Sequence, residues 1–152
     1  MATAESLTGG LLGALITAVP GASAVFRGGL IVYATDLKAS LAHVDPDLLA
    51  AGGPVQRDVA VQLADGARTA CAASLGVGLT GVAGPDPVDG RPPGTWFVAV
   101  TGSDLTMTRH GTPTPTEFPP TRAEVRADAV AAAVELLELV VADRQVDQQA
   151  DR

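Results

Sequence analysis

Apolar and polar positions switch between a helical period and short uninterrupted runs, and the switches divide the chain into elements. Leu11-Leu12-Gly13-Ala14-Leu15-Ile16-Thr17-Ala18-Val19 follows Glu5-Ser6-Leu7-Thr8-Gly9-Gly10 and stops at Pro20-Gly21. This reads as a strand end, a glycine-bearing turn, then a buried helix closed by the Pro-Gly break. The β-branched run at 28–34, bounded by Gly28-Gly29, predicts a buried strand feeding a helix that starts near Thr35 or Asp36. After a junction at Asp45-Pro46, a long helix is predicted over 57–74, with Val59, Leu63, Ala67 and Ala70 or Cys71 at helical spacing.

Two strands follow, Gly76 to Ala83 and Thr95 to Thr101, separated by a Pro- and Gly-rich loop at 84–94. Leu105 to His110 should pair with the second of these as a hairpin across Gly102-Ser103-Asp104. Residues 112–120 read as extended and Pro/Thr-rich. A last helix runs from about Thr121 to Asp143, with Val125, Ala129, Ala132 or Ala133, Leu136, Leu137 and Val140 on one face, and a frayed polar tail occupies 144–152.

This order predicts an α/β fold: a three-layer α/β/α sandwich on a mixed, mainly parallel sheet with one β-hairpin. The expected organisation is a single domain over 1–143. The first strand, which must carry Ser6 into its turn, has little room before Glu5, so it is expected to be a stub or to begin upstream of Met1.

Composition narrows the function. Hydrophobic residues make up 47% of the 152 residues but aromatics only 3%, so Ala, Val and Leu must build the core. A formal charge of -7 with scattered arginines argues against nucleic acid as a partner, because phosphate backbones need clustered cations. No stretch approaches the roughly 20 apolar residues of a membrane span, and the N-terminus lacks a signal-peptide pattern, so a soluble, cytoplasmic protein without membrane partners is expected. Cys71 is the only cysteine and reads as a small core residue. His43 and His110 lack ligand spacing, so neither a metal nor another cofactor is expected.

The candidate chemistry rests on rare residues. Lys38 is the one lysine among ten Lys and Arg, and Tyr33, the one tyrosine, stands five positions before it. Arginine keeps its proton in proteins, so Lys38 alone could act as an amine base. Ser6 at a strand-to-helix turn, followed by Thr8-Gly9-Gly10, sits beside backbone N–H groups able to bind an anion or oxyanion. The simpler alternative is that Ser6 or Thr8 only caps the next helix. If Ser6 is a nucleophile it needs a base, and a desolvated Lys38 is the candidate.

In order, Thr3-Ala4-Glu5-Ser6-x-Thr8-Gly9-Gly10, Val19-Pro20-Gly21-Ala22-Ser23-x-x-Phe26-x-Gly28-Gly29, Tyr33-x-x-x-x-Lys38, Thr80-Gly81-Val82-Ala83-Gly84-Pro85, Gly94-Thr95 and Arg122-x-x-x-Arg126 resemble the CinA C-terminal domain family. The resemblance runs from residue 2 to about residue 140. The characterised activity of that family is nicotinamide-nucleotide amidohydrolase, also called NMN deamidase. It implies Ser6 as nucleophile, Lys38 as the base that later protonates the leaving ammonia, and Tyr33 as an assisting hydroxyl. The backbone around Leu7 to Gly10 is the first choice for the oxyanion site, with the Thr80, Gly81 and Gly84 turn as the second. Thr8, Gly9, Gly10, Ser23, Thr80, Gly81, Gly84 and Arg122 are the expected substrate-binding residues, Ser23 also being the rival nucleophile. Arg122 is expected to take the substrate phosphate, with Arg126 one turn later. Glu5 could hold Lys38 charged or serve the helix dipole.

The sequence departs from the family pattern at Leu7 (usually Cys), Thr35 (usually Asn), Gln56 (usually Ser) and through the loop 86–93. Relatives usually begin with another helix and a full strand, so the N-terminal helix and part of the first strand are expected to be missing here, exposing a sheet edge or gap. The resemblance implies the stand-alone form, a small nucleotide substrate and a homo-oligomer, with a dimer expected. A catalytically idle binding subunit and an amidohydrolase for a different amide are the alternative functions.

Overall fold

The computed structural model describes residues 1–113 and 120–150, with side chains through residue 143. Five strands form one sheet in the order β2-β1-β3-β4-β5. These are β1 (Ala2–Glu5), β2 (Gly28–Ile31), β3 (Gly76–Gly81), β4 (Trp96–Thr101) and β5 (Thr106–Gly111). β1 pairs parallel with both β2 and β3, while β3 with β4 and β4 with β5 are antiparallel. The sheet is therefore mixed in equal parts by pairing, and the predicted hairpin is β4–β5.

α1 (Leu11–Thr17) and α5 (Arg122–Ala150) cover one face; α2 (Thr35–Ala42), α3 (Pro46–Gly52) and α4 (Arg57–Ala70) cover the other. Alternation along the strands sorts their side chains between the layers. Val77, Leu79, Val98 and Val100 join Val125, Ala129, Ala133 and Leu136 of α5 in one core. On the opposite face Ala2 and Ala4 meet Val59, Leu63 and Ala67 of α4, and Ala99 meets Ala60 and Ala64. Small residues here bring α4 close to the sheet. A Cβ added at Gly78 would lie 2.1 Å from the Ala60 carbonyl oxygen.

β1 is only four residues long but central, and its Ala-Thr-Ala-Glu sequence is buried throughout. It is short enough to end at Glu5, which delivers Ser6 to the end of the parallel strands. Several expectations need correction. The run at 28–34 yields a shorter strand, and β2 is the half-exposed edge of the sheet rather than a buried member. α1 buries only Leu12, while Leu11, Leu15 and, just beyond the helix, Val19 are exposed.

α3 was hidden behind the Asp45-Pro46 junction. Asp45 is its N-cap, accepting from the Asp47 N–H at 2.8 Å, and Pro46 starts the helix where a missing N–H costs nothing. α4 ends at Ala70, short of 74, and Ala70 is exposed. α5 continues to Ala150, so the backbone of 144–150 is helical rather than frayed. Most of the extended segment expected at 112–120 lies outside the described residues.

Candidate active site

Ser6 directly follows β1, and its N–H donates to the Leu79 carbonyl of β3 at 3.0 Å. The chain then turns back, with the Gly9 N–H donating to the Ser6 carbonyl at 3.1 Å around a corner formed by Leu7 and Thr8. Gly9 and Gly10 have φ of 59° and 97°, a backbone region that side chains rarely adopt, which explains the glycine pair. Gly10 is the N-cap of α1 and offers no side chain to close it.

Glu5 does that work instead. Its carboxylate, 1% exposed, accepts from the N–H groups of Gly10 at 3.1 Å, Leu12 at 3.1 Å and Gly13 at 2.8 Å. An acidic group at these unpartnered donors serves both their hydrogen bonding and the helix dipole. Of the two roles open to Glu5, the helix terminus is the one the geometry shows.

Lys38 lies in α2 and is 1% exposed. Its side chain reaches back to the strand-to-helix connection, where Nζ donates to the carbonyls of Val32 at 2.9 Å and Tyr33 at 3.0 Å. Burial lowers its pKa to about 8, partly opposed by Asp36, whose charge raises it. A neutral amine has two N–H bonds and one lone pair. With both N–H groups committed to carbonyls, the lone pair is what remains to accept a proton.

Ser6, Leu7, Tyr33, Thr35 and Lys38 line a cleft of about 220 Å³ together with Thr80, Gly81, Gly84, Asp86 and Arg122. Ser6 is 7% exposed. Arg122, from the start of α5, spans the mouth: Nη2 donates to the Tyr33 hydroxyl at 2.7 Å and Nη1 to the Gly84 carbonyl at 2.8 Å. Thr80 belongs to the opposite wall, where Oγ1 donates to the Pro54 carbonyl at 2.7 Å.

The sequence candidates thus separate by place. Ser6, Lys38, Tyr33, Thr80, Gly81, Gly84 and Arg122 share the cleft, whereas Thr8, Gly9 and Gly10 lie behind Ser6 and do not line it. Ser23 is exposed on a short 3-10 turn, Ala22–Ala24, away from the cleft lining. The N–H groups of Gly9 and Gly10 are taken by the Ser6 carbonyl and Glu5. Among the described residues Leu7, Ala83 and Gly84 line the cleft and have N–H groups without an acceptor, so these are donors available to an oxyanion.

Arg126, one turn after Arg122, does not line the cleft. Its Nε donates to the Leu7 carbonyl at 3.0 Å and its Nη2 to the Thr8 carbonyl at 2.9 Å. Asp86, Pro54 and Val55 also line the cleft and carried no sequence signal. Gln56 donates to the carbonyls of Leu48 at 3.0 Å and Gly53 at 2.8 Å, fastening the α3–α4 connection beside Pro54. Among the described residues no group of three His, Cys, Asp or Glu side chains is placed to hold a metal ion, and no helix is long and apolar enough to cross a membrane.

Residues 1–141 match the sequence profile of the CinA C-terminal domain. The chain belongs to the CinA C-terminal domain family. A CinA-like protein of Frankia casuarinae is 44% identical over 142 residues, which are 93% of this chain and 32% of that protein. A putative competence-damage inducible protein of a Geobacillus species is 47% identical over 100 residues, 66% of this chain and 24% of that one. The chain therefore spans about a third or less of these curated relatives. Among solved structures, a CinA superfamily protein from Klebsiella pneumoniae superposes with a TM-score of 0.84 at 27% identity, covering 93% of this chain and 86% of that one. The competence/damage inducible protein CihA from Agrobacterium tumefaciens gives 0.81 at 31%, covering 91% and 83%. These CinA structures have the same mixed α/β architecture.

Proposed function

We propose that this CinA domain is a serine amidohydrolase that converts the carboxamide of nicotinamide mononucleotide to the acid, releasing ammonia, in cytoplasmic pyridine-nucleotide recycling. The observation that carries the reading is Lys38, a fully buried amine with both N–H groups of its neutral form occupied, facing the same 220 Å³ cleft as Ser6. Lys38 takes the Ser6 proton as Oγ bonds to the carboxamide carbon, and the carbonyl π pair moves onto oxygen. The C–N bond then breaks as Lys38 returns the proton to nitrogen, and ammonia leaves. Water repeats the sequence on the acyl-enzyme, freeing the carboxylate and Ser6. Tyr33 reaches the substrate side of the cleft through its bond to Arg122, which supplies the cation for a phosphate.

The test is ammonia release from NMN by the purified protein and by Lys38→Arg, which keeps the charge and removes the base. Activity in the first and none in the second is expected. A second reading keeps the mechanism and changes the amide. It is favoured by Asp86, whose carboxylate lines the same cleft as Arg122 and disfavours a nearby phosphate. A panel of amides read by mass spectrometry separates the two.

A homodimer belongs to the same proposal. From Leu7 to Phe26 the chain carries no charged side chain, and Leu11, Leu15 and Val19 are exposed on it. On a chain of net charge -7 this is a surface where two copies meet without like charges. Sedimentation of Leu15→Glu as monomer, with a dimeric parent, is the expected result.

A further inference from the structure

The segment from Ser6 to Gly13 admits a full account of its backbone donors. Ser6 donates to Leu79, Gly9 to Ser6 and Leu11 to Thr8, while Gly10, Leu12 and Gly13 donate to the Glu5 carboxylate. Within this segment only the N–H groups of Leu7 and Thr8 have no acceptor among the described residues. Both residues are buried, at 4% and 0% exposure, and the Thr8 hydroxyl is buried without a partner as well. Buried unpaired N–H groups are rare, because each forfeits its hydration for nothing. That of Leu7, which lines the cleft directly after the serine, indicates a donor reserved for a ligand atom.

Arg126 bonds the carbonyl side of the same turn. The Leu7 carbonyl that accepts from Nε belongs to the peptide unit whose N–H is that of Thr8. The Thr8 carbonyl that accepts from Nη2 belongs to the peptide unit whose N–H closes the turn onto Ser6. A cationic donor on a peptide oxygen draws electron density from its nitrogen and strengthens the N–H as a donor. Arg126 has no carboxylate partner among the described residues, so its charge is spent on these two carbonyls.

We infer that Arg126 is a positioning residue, which together with Glu5 clamps the Ser6–Gly10 turn and, through the Gly9 N–H bond to the Ser6 carbonyl, holds and polarises the Leu7 N–H, so that this group receives the oxyanion formed on the substrate. This rests on the amidohydrolase reading of Ser6. The contact uses the fork of a guanidinium: a lysine at 126 keeps the charge but would have to meet both carbonyls from a single nitrogen, without the fixed planar spacing of Nε and Nη2.

The experiment follows Ser6 and the turn separately. Reaction of the protein with a fluorophosphonate, followed by intact-mass and peptide spectrometry, measures phosphonylation of Ser6, a step that also places an oxygen on the Leu7 donor. Amide hydrogen exchange at Gly9 reports the turn itself. Arg126→Lys is expected to label Ser6 about 10-fold more slowly and Arg126→Ala about 100-fold, the latter the lower end of the range for one lost oxyanion donor. Gly9 should exchange faster in both, and millimolar methylguanidinium should restore much of the rate to Arg126→Ala. Labelling and Gly9 exchange at parental values in Arg126→Lys overturn the clamp. Slow labelling that methylguanidinium does not restore, with parental Gly9 exchange, overturns it also. A parent that labels elsewhere than Ser6 overturns the amidohydrolase reading instead; faster Gly9 exchange in the variants would still support the clamp, and unchanged exchange would dismiss it.

Discussion

The Arg122 guanidinium donates to the Tyr33 hydroxyl at 2.7 Å while its other terminal nitrogen holds the Gly84 carbonyl at 2.8 Å. Three segments that are far apart in sequence thus meet at the mouth of the cleft. Guanidinium has five N–H donors, so these two bonds leave others for an anion, and they fix the plane in which an anion is met. Arg122→Met is expected to raise KM for NMN about 10- to 100-fold, the value of a charge-assisted bond, and to leave the phosphate-free nucleoside nearly unaffected. Steady-state kinetics on the two substrates checks it. An equal loss for both would mean that Arg122 serves the loop, not the phosphate.

The buried amine sets a pH dependence of rate. Lys38 is a base only when neutral, and burial lowers its pKa to about 8. With free enzyme, kcat/KM should therefore rise with pH and level off above about 8. Asp36, two residues before Lys38 in the first turn of α2, opposes the shift, so Asp36→Asn should move the inflection to lower pH. A profile flat from pH 6 to 9 would remove Lys38 from the proton transfer.

The same shift makes Lys38 a cost to stability. A lysine whose folded pKa lies below its unfolded value of 10.5 binds fewer protons folded than unfolded between about 8 and 10.5. Stability contributed by this group therefore rises with pH across that window, and the penalty is complete below it. Lys38→Met should lack that rise, so the wild-type-minus-variant difference in urea unfolding free energy should increase with pH across the window. A difference independent of pH between 7 and 10 would contradict the burial of the charge.

How much of this was legible depended on whether a local pattern decided the outcome. The hairpin β4–β5, the α5 face from Val125 to Val140 and the close of α1 are set by period and turn residues, and the sequence carries them openly. Ser6, Tyr33 and Lys38 were legible through motif order and rarity. The exposure of β2 and α1 was not, because an edge element and a central one share the same apolar residues; only strand order separates them. α3 was missed because Asp-Pro reads equally as a junction and as a cap with Pro at the first helical position. The Arg126 contacts to Leu7 and Thr8 join positions 119 and 118 residues apart and involve only backbone oxygens there, which no side-chain pattern records.

The close approach of α4 to the sheet gives the last prediction. Gly78 lies on β3 under α4, and a Cβ there would stand 2.1 Å from the Ala60 carbonyl oxygen, 2.6 Å from the Ala64 nitrogen and 2.9 Å from the Leu63 Cβ. Two of the three are backbone atoms, so no rotamer change relieves the clash and the helix itself must move. Overpacking that forces such backbone shifts costs about 1–3 kcal/mol and occasionally more, so Gly78→Ala should lose about 3 kcal/mol by urea unfolding. The displacement should also reach the cleft. α4 begins just after Pro54 and Val55, which line it, and Pro54 holds Thr80 through its carbonyl. Gly78→Ala that still folds at low temperature should therefore show a lowered kcat, while the wild-type stability of a Gly90→Ala control, whose Cβ would meet nothing within 4 Å, is expected to fall only by the strain of its φ of 73°.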